Sequence, residues 1–218
     1  MEACFLSEFA MVRQFEETVD AYFADLFSRT LEFDSENGIA DIVLYKKRKN
    51  YQSHLSLAQI DPRWSLTLKS LPYRRYFSLE DLQSLTRCSI SSARKALESF
   101  CKADYCEKSA ISGKWIKHRQ PSLILKDVVA IEAKLRDWKR ALHQARRYHD
   151  YANQSWVLIE EKYQKAALRN VNHFLKANIG LASISVRGEI QLLQHPAKNL
   201  PRSEFAQWYM NAKIARDL

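Results

Sequence analysis

The sequence predicts a mixed α/β protein, a central sheet flanked by helices with a small module inserted between its second and third strands. Three observations predict it. Helical apolar spacing over residues 9–27 gives way to strand spacing, strand-like and helical segments alternate from residue 126 onward, and the stretch between turns basic. At 218 residues the chain is long enough for one large domain or for a domain with a smaller companion.

Val12, Phe15, Val19, Tyr22, Phe23 and Leu26 share one face, so residues 9–27 read as an amphipathic helix packed on a core. TLEFDSENGIADIVLYKK follows as two strands around Asn37-Gly38, the strongest hairpin signal in the chain. The next two helices are SLEDLQSL (78–85), opened by a serine cap, and SISSARKALESFCKA (89–103), joined by a tight turn at Arg87-Cys88. YCEKSAISGKWIKH (105–118) then gives two short strands around Ser112-Gly113.

Two helices, a tight turn and a basic hairpin make a winged helix-turn-helix outline. Ala93, Leu97 and Phe100 would face its core, leaving Ser91, Ser92, Arg94 and Lys95 outward. With Lys114 and Lys117 of the hairpin, they are the candidate DNA contacts. Small helical modules of this outline also bind protein or dock internally.

From Lys126 the pattern is a buried strand (127–134), a helix (136–152), a strand (155–159), a helix (160–178) closed by Gly180, and a strand pair around Arg187-Gly188. The tail from Ser203 reads as a short helix packing Phe205 and Trp208. The boundaries are therefore a core in two parts, 1–45 and 126–195, a basic insert at 46–125 and a C-terminal helix within 196–218.

Charge separates these regions. Residues 46–126 hold 17 Lys/Arg against 6 Asp/Glu, and the rest of the chain 17 against 19, so the net +9 comes from the insert. A polyanion is the natural partner of such a patch, and a solvated basic surface its plain alternative. No apolar run approaches the ~20 residues of a membrane span and the acidic N-terminus is unlike a signal peptide, so a cytoplasmic protein is expected. Cys4, Cys88, Cys101 and Cys106 form no C-x-x-C pair, which leaves reduced thiols rather than structural zinc as the expectation.

Three charges sit where a core would not choose them. Asp41 interrupts the apolar strand GIADIVLY, and Glu132 and Lys134, one residue apart, point to the same side of the strand ending VVAIEAK. A carboxylate in an apolar strand costs several kcal/mol, in order of magnitude, unless a cation or hydrogen bonds satisfy it. A salt bridge from Asp41 to Lys134 that fixes strand register is one solution. The other is an oxygen-rich pocket for a hard divalent ion, with an ammonium beside it that can hold or deprotonate a water.

Asp41 and then Glu132-Ala133-Lys134, on an α-β-β-insert-β-α-β framework, resemble the PD-(D/E)XK nuclease superfamily. Gln144-Ala145-Arg146-Arg147-Tyr148 is similar to the Q-x-x-x-Y motif of its RecB-like branch. The resemblance spans roughly residues 9–45 and 126–195. It departs from the pattern at Ala40, where the motif has proline, and in the 90 residues between Asp41 and Glu132, which the insert accounts for.

The resemblance implies a restriction-endonuclease-like sheet and metal-dependent hydrolysis of DNA phosphodiesters, with endonuclease cleavage expected. Asp41, Glu132 and the Ala133 carbonyl would ligate Mg²⁺ or Mn²⁺, and Lys134 would position the attacking water. Glu16 would supply an acid from the first helix, while Gln144 and Tyr148 would orient the lysine or contact the DNA backbone. A homodimer, or a subunit of a larger DNA-processing complex, would suit such a nuclease; defence, mobile-element processing and repair are its usual settings. The alternatives are a non-catalytic DNA-binding or assembly subunit on the same scaffold and, further off, a transcription regulator.

Overall fold

The computed structural model describes residues 4–23 and 27–218, the side chains of 20–23 excepted. The expected packing of Tyr22, Phe23 and Leu26 lies outside the described residues. The chain forms two compact units, one of residues 1–47 and 126–203 and the other of 48–125 and 204–218.

The first unit is built on a six-stranded mixed sheet. Helix α1 (Glu8–Phe23) leads into the hairpin β1 (Ser28–Asp34) and β2 (Ile39–Lys47). After the insert come β6 (Leu125–Lys134), β7 (Gln154–Glu160), β8 (Gly180–Ile184) and β9 (Ile190–Gln194). The spatial order is β1-β2-β6-β7-β8-β9. β6, β7 and β8 run parallel, whereas the edge pairs β1–β2 and β8–β9 are antiparallel.

Strand alternation decides what each face carries. Ile42 and Leu44 of β2, Ile131 and Ala133 of β6, Leu158 of β7 and Ile184 of β8 form one buried layer with Met11, Val12, Phe15 and Val19 of α1. Residues of opposite parity, Asp41 and Glu132 among them, are thereby assigned to the other side. The hairpin turn holds Glu36 and Gly38 at positive φ, and both the amide and the hydroxyl of Ser35 donate to the Gly38 carbonyl.

Two helices depart from expectation. The segment foreseen as 136–152 is α5 (Trp138–Ala145) followed by a 3₁₀ stretch, Arg146–Asp150. The one foreseen as 160–178 divides into a 3₁₀ turn, α6 (Gln164–Leu168) and α7 (Val171–Ala177). It breaks at Asn170, whose side chain donates to the Ala166 carbonyl and whose amide closes a tight turn on Ala167. Asn178 in the left-handed conformation ends α7, so Gly180 is not the cap. Gly180 instead opens β8 against the Trp156 indole, which an added Cβ would meet at 2.2 Å.

The second unit holds 3₁₀ stretches at Tyr51–Gln59 and Pro62–Trp64, then α2 (Ser65–Ser70), β3 (Tyr76–Phe77), α3 (Leu79–Thr86), α4 (Ile90–Lys102), β4 (Cys106–Lys108) and β5 (Trp115–Lys117). A reciprocal box between Ser78 and Asp81 starts α3, and Arg87 in the left-handed conformation ends it. Ala93, Leu97 and Phe100 of α4 are buried, and β3, β5 and β4 form a three-stranded antiparallel sheet.

The last helix, α8 (Glu204–Ala215), belongs to this unit. It is buried along most of its length, and Asn211 accepts from the amides of Ile124 and Leu125 at 2.8 and 2.9 Å. Trp208 is buried as expected; Phe205 is 40% exposed and is not a core residue. Among the described residues no helix is long and apolar enough to cross a membrane.

Candidate functional site

Neighbouring strands bring the three anomalous charges together. The Lys134 ammonium lies 2.8 Å from Glu132 Oε1, 2.9 Å from the Ala133 carbonyl oxygen and 3.9 Å from Asp41 Oδ2. A fourth oxygen, Glu8 Oε2, stands at 3.2 Å. Asp41 Oδ2 also accepts from the Ala133 amide at 2.7 Å, which fastens β2 to β6 beside the ammonium. A cleft of about 350 Å³ lined by Glu8, Phe9, Val12, Arg13, Leu31, Glu32 and Asp41 opens at this place.

Glu16 is not part of the cluster. It pairs with Arg13 at 2.9 Å and with Arg29 at 3.4 Å, and the helix carboxylate beside Lys134 is Glu8. Glu8 and Glu16 both border the apolar stripe of α1, but their eight-residue separation places them roughly 12 Å apart along the helix axis. The helix expected from the apolar spacing starts at residue 9, so Glu8, which opens α1, falls outside it.

Burial sets the protonation of the cluster. Desolvation raises the Asp41 pKa; the Ala133 amide and Lys134 oppose it, and the charges of Glu8 and Glu32 add to it. Glu132 is 1% exposed, and desolvation raises its pKa against the hydrogen bonds from Lys134 and Tyr148. For Lys134 desolvation acts downward, but the Glu132 hydrogen bond and the charges of Glu132, Asp41 and Glu8 outweigh it and leave the pKa above the usual lysine value. The amine is thus held as an ammonium. It is suited to binding an anionic oxygen and unsuited to deprotonating a water.

Tyr148 is buried, with its hydroxyl against Glu132 Oε2 and 2.7 Å from the Ile39 carbonyl. It thereby ties the start of β2 to the carboxylate on β6. Burial and the Glu132 charge push the phenol pKa well upward, so it remains a donor. Gln144, one helical turn earlier, carries a buried Oε1 that accepts no hydrogen bond from the described residues. Glu32 sits across from Asp41 in the hairpin, between the Leu31–Ile42 and Phe33–Ala40 pairs, with φ at 48°. A non-glycine residue there costs about 1–2 kcal/mol, strain that functional sites tend to retain.

The donor set suits a hard cation. Two carboxylates and a backbone carbonyl are all oxygen ligands, the type Mg²⁺ and Mn²⁺ prefer, and an ion would relieve the repulsion among Asp41, Glu132 and Glu8. Among the described residues no group of three or more His, Cys, Asp or Glu side chains is gathered to hold a metal by itself. An ion here would take the Ala133 carbonyl and water besides its carboxylates.

In the second unit Arg94 and Lys95 are exposed and, with Ile90, Ser91 and Glu98, line an open groove of about 490 Å³. The Ser91 and Ser92 hydroxyls both contact the Ser89 hydroxyl that caps α4. Lys114 is exposed near the hairpin turn. Lys117 is different: it is fully buried, and its ammonium donates to the Leu68 and Lys69 carbonyls at the end of α2, 3.0 Å from each. It is a helix-capping residue and not a DNA contact. Comparison of the chain with protein-family models, curated proteins and solved structures gives no match.

Proposed function

We propose that the chain is a Mg²⁺- or Mn²⁺-dependent DNA nuclease, with a restriction-endonuclease-like sheet and a winged-helix insert that holds DNA. The observation that carries this reading is the convergence of Glu8, Asp41, Glu132 and the Ala133 carbonyl on one ammonium, residues separated by up to 125 positions in sequence. Three carboxylates beside a cleft, two of them with raised pKa values, are far more than one strand register requires.

Asp41, Glu132 and the Ala133 carbonyl would hold the ion, which when bound supplies Lewis-acid stabilisation of charge on the scissile phosphate. Lys134, kept cationic, binds a phosphate oxygen and orients the incoming water. Tyr148 fixes the Glu132 carboxylate through its hydroxyl. Arg94, Lys95 and Lys114 contact phosphates and position the nucleic acid without reading its sequence.

A second reading, a non-catalytic DNA-binding or assembly subunit, draws on the self-sufficiency of the cluster, since Lys134 satisfies the carboxylates and its side chain is only 10% exposed. Supercoiled plasmid incubated with Mg²⁺ or Mn²⁺ separates the two. Wild type should nick or linearise it, and Lys134→Ala should cleave at least a hundredfold more slowly while still binding DNA through the contacts of the insert. Equal cleavage by both proteins removes Lys134 from the chemistry, and none by either favours the scaffold.

A further inference from the structure

Helix α5 carries a basic face that neither the cleft nor the insert uses. Lys139 and His143 of α5, which begins four residues after Lys134, and Arg146, the first residue of the 3₁₀ stretch that continues it, fall at i, i+4 and i+7 on one flank. They line an open groove of about 420 Å³ together with Trp138, Asn170 and His173. No carboxylate of the described residues lines it. Among the described residues no ion pair involves Lys139 or Arg146, so no carboxylate neutralises either charge.

The groove also holds ring planes. Trp138 is half-buried, its indole centroid 6.0 Å from the His173 ring and 5.8 Å from Phe174, with the Lys139 ammonium 5.7 Å away over its face. Cations spaced along a helix with an indole at one end of the row are a combination that tracks a phosphodiester backbone and stacks an unpaired base. A duplex would offer the cations its phosphates but would hide its base faces from the indole. An acidic polypeptide would answer the charge and leave the ring unused.

We propose that the groove between α5 and α7 binds single-stranded nucleic acid, the Lys139 and Arg146 side chains holding phosphates and Trp138 stacking a base. This rests on the nucleic-acid part of the function proposed above and not on its metal chemistry. The ligand class that follows is DNA with an unpaired stretch.

The test is anisotropy of a short fluorescein-labelled oligothymidylate with the full chain in EDTA, over a series of salt concentrations. Lys139→Gln/Arg146→Gln should bind at least tenfold more weakly, with a slope of log affinity against log salt shallower by about 1.4 for the two lost phosphate contacts. Trp138→Leu should weaken binding with the slope unchanged. Because all three positions are at least partly exposed, unchanged far-ultraviolet dichroism and melting midpoints exclude misfolding as the cause.

Affinity and slope within twofold of wild type in the double variant would overturn the proposal. So would a duplex that loses as much affinity as the single strand in both variants, or oligoglutamate of equal charge displacing the oligonucleotide as well as unlabelled oligothymidylate does. The outcomes are separable from the nuclease reading. Absence of cleavage by wild type with Mg²⁺ or Mn²⁺ removes the nuclease and leaves the groove, whereas unaltered binding by the groove variants removes the groove and leaves the nuclease.

Discussion

At the scale of single residues, Asp41 separates a catalytic cluster from a structural ion pair. Burial raises its pKa, so the folded chain favours the protonated acid and the unfolded chain ionises first as pH rises. Stability is therefore lost as pH climbs from the unfolded carboxylate range through the raised folded value, and it stays lost at neutral pH. Asp41→Asn removes that penalty and keeps an acceptor for the Ala133 amide. In metal-free buffer at neutral pH the variant should melt at or a few degrees above wild type. Millimolar Mg²⁺ should raise the wild-type midpoint and leave the variant's unchanged, since only a site that binds the ion is stabilised by it. A variant that melts well below wild type and a wild type indifferent to Mg²⁺ would make Asp41 a register-fixing partner of Lys134. The sequence exposed Asp41, Glu132 and Lys134 because a charge in an apolar strand is a visible anomaly. Glu8 and Glu32 raise no such signal, being ordinary surface residues of α1 and β1 until the fold sets them beside Asp41.

At the scale of elements, periodicity and caps made the order of strands and helices legible, and what escaped depended on partners remote in sequence. Lys117 is the clearest case. A lysine in a three-residue strand reads as surface, yet the antiparallel register sets it opposite Cys106 and its ammonium caps α2, some 48 residues away. Burial lowers its pKa to about 8, and the Lys69 charge assists. Since the unfolded lysine stays protonated to higher pH, this residue weakens the fold at neutral pH. The loss is recovered as pH rises from about 8 toward the unfolded value. Between pH 7 and 9 the wild type should gain about 1 kcal/mol relative to Lys117→Met, read as the difference between their urea unfolding free energies at each pH. Taking the difference cancels the titration of groups the two proteins share. A constant difference across that range would place the Lys117 amine in contact with water.

At the scale of the whole molecule, composition marked the basic insert, because charge is local information. Where α8 belongs was not legible: its apolar residues run nearly all round the helix and identify a buried segment without naming what buries it. The link is polar and specific. Asn211 Oδ1 serves two amides at once, Ile124 and Leu125, at the point where the chain leaves the second unit for β6. Arg216 adds donors to the Ala58 and Ile60 carbonyls, and Lys69 pairs with Glu204 at 2.7 Å. A segment from the chain's end thus completes a unit whose other residues lie at its middle. Asn211→Ala leaves two buried amides without an acceptor, which costs roughly 2–4 kcal/mol. If the units unfold separately, native-state hydrogen exchange should show α3, α4 and β5 losing protection by that amount while β7 and β8 keep theirs. Equal loss throughout would mean that the two units open as one cooperative body and that the insert cannot be removed without the sheet.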